Sequence, residues 1–172
     1  MLAQALAPSP AAATAADAAV HEAVARLRSD LAALPSCSRL TDADANAIYA
    51  LAYRDFGLAR HDRALERFRL LLVYRPASTV YMLGCALCLQ RLRRYELAAA
   101  AFGALRYLEP GVPGHTLALA ECQLLSQERD EARQTLADTL AYCDAHPGHD
   151  AVRARAQAML DLMRPRDEPA VV

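Results

Sequence analysis

The chain has 172 residues, 55% of them apolar and 23% charged, with a formal net charge of −1. That balance belongs to one globular domain or a short solenoid and excludes wholesale disorder; the near-neutral charge excludes the basic footprint that nucleic-acid binding requires. Alanine dominates and only six glycines occur, so an all-α protein is expected, because alanine loses no side-chain entropy on entering a helix.

Residues 1–16 are alanine-rich, carry Pro8 and Pro10, and have too little large apolar surface to offset the cost of ordering; they read as a mobile tail. The start lacks the basic residues and the uninterrupted apolar core of a secretory signal. Residues 17–40 form an amphipathic helix and a linker. Val20, Val24, Leu27 and Leu31 recur at three- and four-residue steps, and Pro35 ends the pattern. This stripe lies outside any repeat register and is too apolar to face water, so it is assigned to homodimerisation.

Thr41 and Asp44 then resemble a capping box, with Asp in place of the usual Glu, and open a second helix. From here the sequence repeats itself. Ala64 and Phe68, Ala98 and Phe102, and Ala132 and Leu136 are equivalent pairs 34 residues apart, as are Leu51-Ala52, Cys85-Ala86 and Leu119-Ala120. Thirty-four residues is the tetratricopeptide period, so residues 41–146 are read as three helical hairpins. Pro76 and Pro110 stop the second helix of the first two units, but Asp144 stands at that place in the third. Asp55, Leu89 and Gln123 occupy the position where the repeat prefers Tyr, and His61 begins a helix where Tyr95 does one unit later. Residues 147–164 form a helix that caps the open end of the solenoid, with Val152, Ala156, Met159, Leu160 and Met163 on one face, and 165–172 are a tail.

The first helix of each hairpin carries a second stripe that packing within the repeat does not consume. It comprises Asn46, Tyr49, Tyr53 and Phe56, then Val80, Leu83, Leu87 and Gln90, then Gly114, Leu117, Glu121 and Leu124. First helices line the concave side of such solenoids, so these residues are the candidate peptide-binding groove, unless the chain's own terminal helices fill it. Cys85 and Cys88 have CxxC spacing, but no second pair or neighbouring His completes a zinc site, and Cys85 falls on a packing position of the repeat. Five cysteines placed within apolar patterns point to a reducing compartment. The five histidines are scattered, and neither a nucleophile arrangement nor a glycine-rich phosphate loop is present. No enzymatic activity, metal or cofactor is expected.

The stretch Ile48-Tyr49-Ala50-Leu51-Ala52-Tyr53, with Tyr95-Glu96-Leu97-Ala98 and the run from Ala118 to Leu125, resembles the class II chaperones of bacterial type III secretion systems, the LcrH/SycD-like proteins. The resemblance spans roughly residues 34–163. It implies a cytoplasmic chaperone that keeps hydrophobic translocator proteins soluble before export, holding an extended client segment in the concave groove and dimerising through the N-terminal region, with no insertion of its own into the membrane. By motif, the resemblance places the groove on Tyr49, Tyr53, Phe56, Leu83, Leu87 and Leu117. A general scaffold that clamps the C-terminal carboxylate of a soluble partner is the alternative; it calls for several converging basic or amide side chains, for which only Asn46 and Arg91 offer themselves.

Overall fold

Alanine at each helix crossing sets the architecture. Ala52, Ala86 and Ala120 in the first helices and Ala64, Ala98 and Ala132 in the second have no accessible surface, so each pair of backbones can approach closely. The computed structural model describes residues 40–163 together with 18, 22–27, 29–31 and 33. Seven helices run in succession through 40–163: α1 (Asp42–Gly57), α2 (His61–Tyr74), α3 (Thr79–Arg91), α4 (Tyr95–Leu108), α5 (Pro113–Leu125), α6 (Arg129–Ala145) and α7 (Asp150–Met163). Each packs on its successor, α1 also touches α3, and α5 also touches α7, which is the layout of three stacked hairpins plus a closing helix. Ahead of them, residues 22–27 and 29–31 are helical, within the expected N-terminal helix, whereas Val20 lies outside the described residues.

Local chemistry sets the ends. The Thr41 hydroxyl accepts from the Asp44 N–H at 3.2 Å and donates to the Asp44 carboxylate at 2.5 Å. The box is therefore closed through the hydroxyl, since Asp is one methylene shorter than the Glu that would reach back to the Thr41 N–H. The Ser78 hydroxyl caps α3 by accepting from the Tyr81 N–H, and Pro113 takes the first turn of α5, where its missing donor is harmless. Helices α2 and α4, each of 14 residues, stop before Pro76 and Pro110, whereas α6 lacks a proline at 144 and continues to 17 residues.

The turn inside each hairpin also keeps the period. Ala59, Arg93 and Gln127 adopt positive φ of 56°, 58° and 71°, and the next residue's N–H reaches back to Asp55, Leu89 and Gln123 carbonyls at 2.8–2.9 Å. This is a Schellman closure built on non-glycine residues, so each turn holds some strain.

The core follows as three clusters, one per hairpin. Ala64, Phe68 and Leu71 meet Cys85 and Cys88 of the next unit, and Ala98, Phe102 and Leu105 meet Leu119 and Cys122. The cysteines are thus apolar cement between units. Burial pushes the Cys85 thiol up to about 11 and that of Cys88, which also neighbours Cys85, up to about 12, the reverse of what a reactive or metal-binding thiolate needs. Among the described residues no group of three or more His, Cys, Asp or Glu side chains is placed to hold a metal ion. Leu51 sits at the repeat position of the buried Cys85 and Leu119 yet is 38% exposed, because no hairpin precedes α1 among the described residues.

Candidate functional site

Helices α1 and α3 lie side by side and present their second stripes to one hollow. Tyr49, Tyr53, Phe56, Val80, Leu83 and Leu87, all expected from periodicity, line an apolar cavity of about 170 Å³. Its remaining lining residues, Phe68 and Gly84, escaped the sequence reading. Phe68 reaches from α2 because Gly84 has no side chain; a Cβ there would lie 2.6–2.7 Å from three atoms of the ring. A glycine inside an otherwise apolar helix pattern was the available signal for such a close approach.

The aromatic side chains support one another. The Tyr49 ring lies 6.0 Å from Phe68, edge to face, 5.7 Å from Tyr81 and 6.4 Å from Tyr53, so it is fixed on several sides. Tyr53 is 66% exposed and Val80 also faces outward, leaving apolar surface at the mouth of the cavity. Asn46 is exposed and Gln90 is half-buried; neither lines the cavity.

The third unit departs from expectation. Leu117 is only 6% exposed, and with Leu124 it belongs to a cluster containing Val152, Ala156, Met159 and Met163 of α7. Glu121 pairs with Arg155 of the same helix at 2.7 Å. The reading of Leu117, Glu121 and Leu124 as open groove residues is therefore corrected: the longer α6 returns the chain so that α7 lies beside α5 and takes their apolar surface. The open part of the groove belongs to the first two units.

A buried charge, unassigned by the sequence, stiffens the base of this site. Asp55, 1% exposed at the repeat's Tyr position, hydrogen-bonds Arg67 of α2 and lies 3.9 Å from Arg60, tying the two helices of the first hairpin together just below Phe56. His61 stacks edgewise on Phe56 at 5.2 Å, filling the place that Tyr95 takes in the next unit.

Stacked hairpins repeating every 34 residues, with an apolar hollow between their first helices, define a tetratricopeptide solenoid. No family model and no curated protein sequence matches the chain. Solved structures do. PcrH, a Pseudomonas aeruginosa protein, in complex with the chaperone-binding region of PopD has 28% identity and a TM-score of 0.65, covering 73% of this chain and 94% of that one. In complex with the corresponding region of PopB, PcrH has 29% identity and a TM-score of 0.64, covering 71% and 98%. The Yersinia enterocolitica chaperone SycD, bound to a peptide of the translocator YopD, shares the fold at 22% identity and a TM-score of 0.65, covering 72% and 94%. The chain thus shares the tetratricopeptide fold of these type III secretion chaperones, at 28–29% identity to PcrH.

Proposed function

We propose that this protein is a chaperone of a type III secretion system that binds hydrophobic translocator proteins and keeps them soluble before export. The observation that carries the reading is the open apolar cavity between α1 and α3, in a chain 28–29% identical to PcrH, which has been solved with the chaperone-binding regions of PopD and PopB. The client would lie extended along Asn46, Tyr49, Tyr53, Phe56, Val80, Leu83, Leu87 and Gln90, placing one apolar side chain in the cavity. Its contacts are apolar burial and aromatic packing, which require neither a catalytic group nor a cofactor. The carboxylate clamp of a general scaffold finds no support in a cavity lined by aromatic and aliphatic side chains. Among the described residues no helix is long and apolar enough to cross a membrane, and a cytoplasmic site of action before export fits this role.

The active form is a homodimer joined through Val20, Val24, Leu27 and Leu31. In the single chain Leu27 is 54% exposed, and Leu51 is left bare on the first hairpin, two apolar surfaces that a partner copy would cover. SycD has been solved in an alternative dimer. Two experiments test the proposal. Co-expression with a translocator should yield a soluble complex where the translocator alone aggregates, and failure to protect it would refute the chaperone role. Replacing Leu27 and Leu31 with Asp should give a monomer in sedimentation, and an unchanged mass would remove the N-terminal helix from the interface.

A further inference from the structure

One edge of the solenoid, formed by the turns inside the hairpins, collects the C-terminal ends of α1, α3 and α5 and the N-terminal ends of α2, α4 and α6. Arg54, Arg63, Arg91, Arg93 and Arg94 stand there on the first two units and none makes an ion pair among the described residues, whereas Arg129 on the third is flanked by Glu128, Asp130 and Glu131. Elsewhere most arginines are matched, as in Arg75 with Asp42, Arg106 with Asp138, Arg153 with Asp144 and Arg155 with Glu121; Arg69 of α2 is the exception among the described residues.

Fold stability explains only part of this collection. Arg54 and Arg91 sit in the last turns of α1 and α3, where a cation favours the helix dipole. Arg93 and Arg94 sit against the N-terminus of α4, where a cation opposes it. Arg93 also occupies the left-handed region, φ 58°, that glycine adopts without strain. Arg94 is the N-cap yet supplies no side-chain cap bond. Two arginines placed against both local preferences are the kind of inconsistency that marks a binding surface.

The surroundings give the partner's chemistry. A hollow of about 450 Å³ lies among Arg93, Arg94, Tyr95, Glu96, Leu97, Leu125 and Ser126, with two arginines to one carboxylate and both leucines more than half exposed. A second, of about 420 Å³, includes Arg60, His61, Arg63 and Leu92. We infer that this edge docks an acidic amphipathic segment of a partner protein, its carboxylates on Arg93 and Arg94 and its apolar side chains on Leu97 and Leu125. Concave hollows fit side chains better than a lipid surface, and because Glu96 and Asp62 also line them, they admit carboxylates set singly against the arginines rather than the continuous charge of anionic lipid or nucleic acid. The hollow at Arg93 and Arg94 shares no lining residue with the cavity between α1 and α3, so both can be occupied at once.

The test uses the full chain and a fluorescein-labelled synthetic helix with Glu on one face and Leu on the other, followed by anisotropy. Binding should weaken with added salt, and Arg93→Gly with Arg94→Gln should lower affinity by roughly tenfold, the scale expected from losing two charge-assisted contacts. Arg93→Gly alone should weaken binding while raising the unfolding midpoint, which separates lost contact from lost fold. Tyr53→Ala should leave this binding unchanged. Equal affinity in the double variant, equal binding of a peptide with Gln for Glu, or equal or tighter Arg93-dependent capture of phosphatidylserine vesicles or duplex DNA would overturn the inference.

Discussion

Gly84 offers a perturbation whose size can be worked from geometry. Alanine in a helix interior is more favourable than glycine by about 1 kcal/mol, so Gly→Ala at an open helical site should stabilise the protein by that amount. Gly103 of α4 is such a site, since nothing would lie within 4 Å of its Cβ. At Gly84 the new Cβ would meet the Phe68 ring at 2.6–2.7 Å, short of ordinary carbon contact by about 1 Å. Phe68 is buried and braced by Tyr49, so it has little freedom to yield, and overpacking of this kind costs ~1–3 kcal/mol. Both variants gain the same helix propensity, and the difference between them isolates the clash. In urea unfolding followed by circular dichroism, Gly84→Ala should fall about 1–3 kcal/mol below Gly103→Ala, with part of the loss recovered by adding Phe68→Leu. Client affinity should fall with it, because the displaced ring moves within the cavity. Equal stabilisation by the two substitutions would refute the close approach of Phe68 and the account of the cavity that rests on it.

Two further predictions concern buried polar and titratable groups. Asp55→Ala should cost about 2–3 kcal/mol in urea unfolding, at or below the low end of the range for breaking a buried pair because Arg67 retains some access to water; a cost under ~0.5 kcal/mol would show that the pair does not hold α1 to α2. The thiols of Cys85, Cys88 and Cys122 are raised from an ordinary 9.0 to about 11, 12 and 11, chiefly by burial. Folded and unfolded chains then bind the same protons at these sites below pH 9. Above it the unfolded thiols ionise first, so stability should be flat with respect to these groups below pH 9 and fall from there to about pH 12. Replacing all three with Ser or Ala should flatten that limb, and an unchanged alkaline limb would contradict the assignment.

What the sequence revealed and what it concealed divide along physical lines. The 34-residue step was legible because it repeats the same demands, a small residue at each crossing and an aromatic or leucine in each wedge, and Ala52, Ala64 and Phe68 meet them. The lining of the cavity was legible for the same reason: Tyr49, Tyr53, Leu83 and Leu87 lie on the face that internal packing leaves over. Periodicity assigns a face but does not say what covers it. Leu117 has the same repeat position as Leu83, and only the placement of α7 distinguishes a covered leucine from an open one. Long-range pairs were beyond the pattern too. Asp55 was visible as a departure from Tyr, but its pairing with Arg67 depends on the crossing of α1 and α2, and the depth of Phe68 depends on the missing side chain of Gly84 in a third helix.

Occupation of the open groove of the first two units by the client can be read by co-purifying a translocator with wild-type chaperone and with folded variants, each confirmed by circular dichroism. Truncating an aromatic anchor at an interface often costs ~2 kcal/mol or more, beyond tenfold in affinity. Tyr53→Ala and Leu87→Asp should therefore release the client, whereas Val73→Ala, an exposed change on α2 away from the cavity, should retain it. Retention of the client at wild-type level by both groove variants would contradict the account.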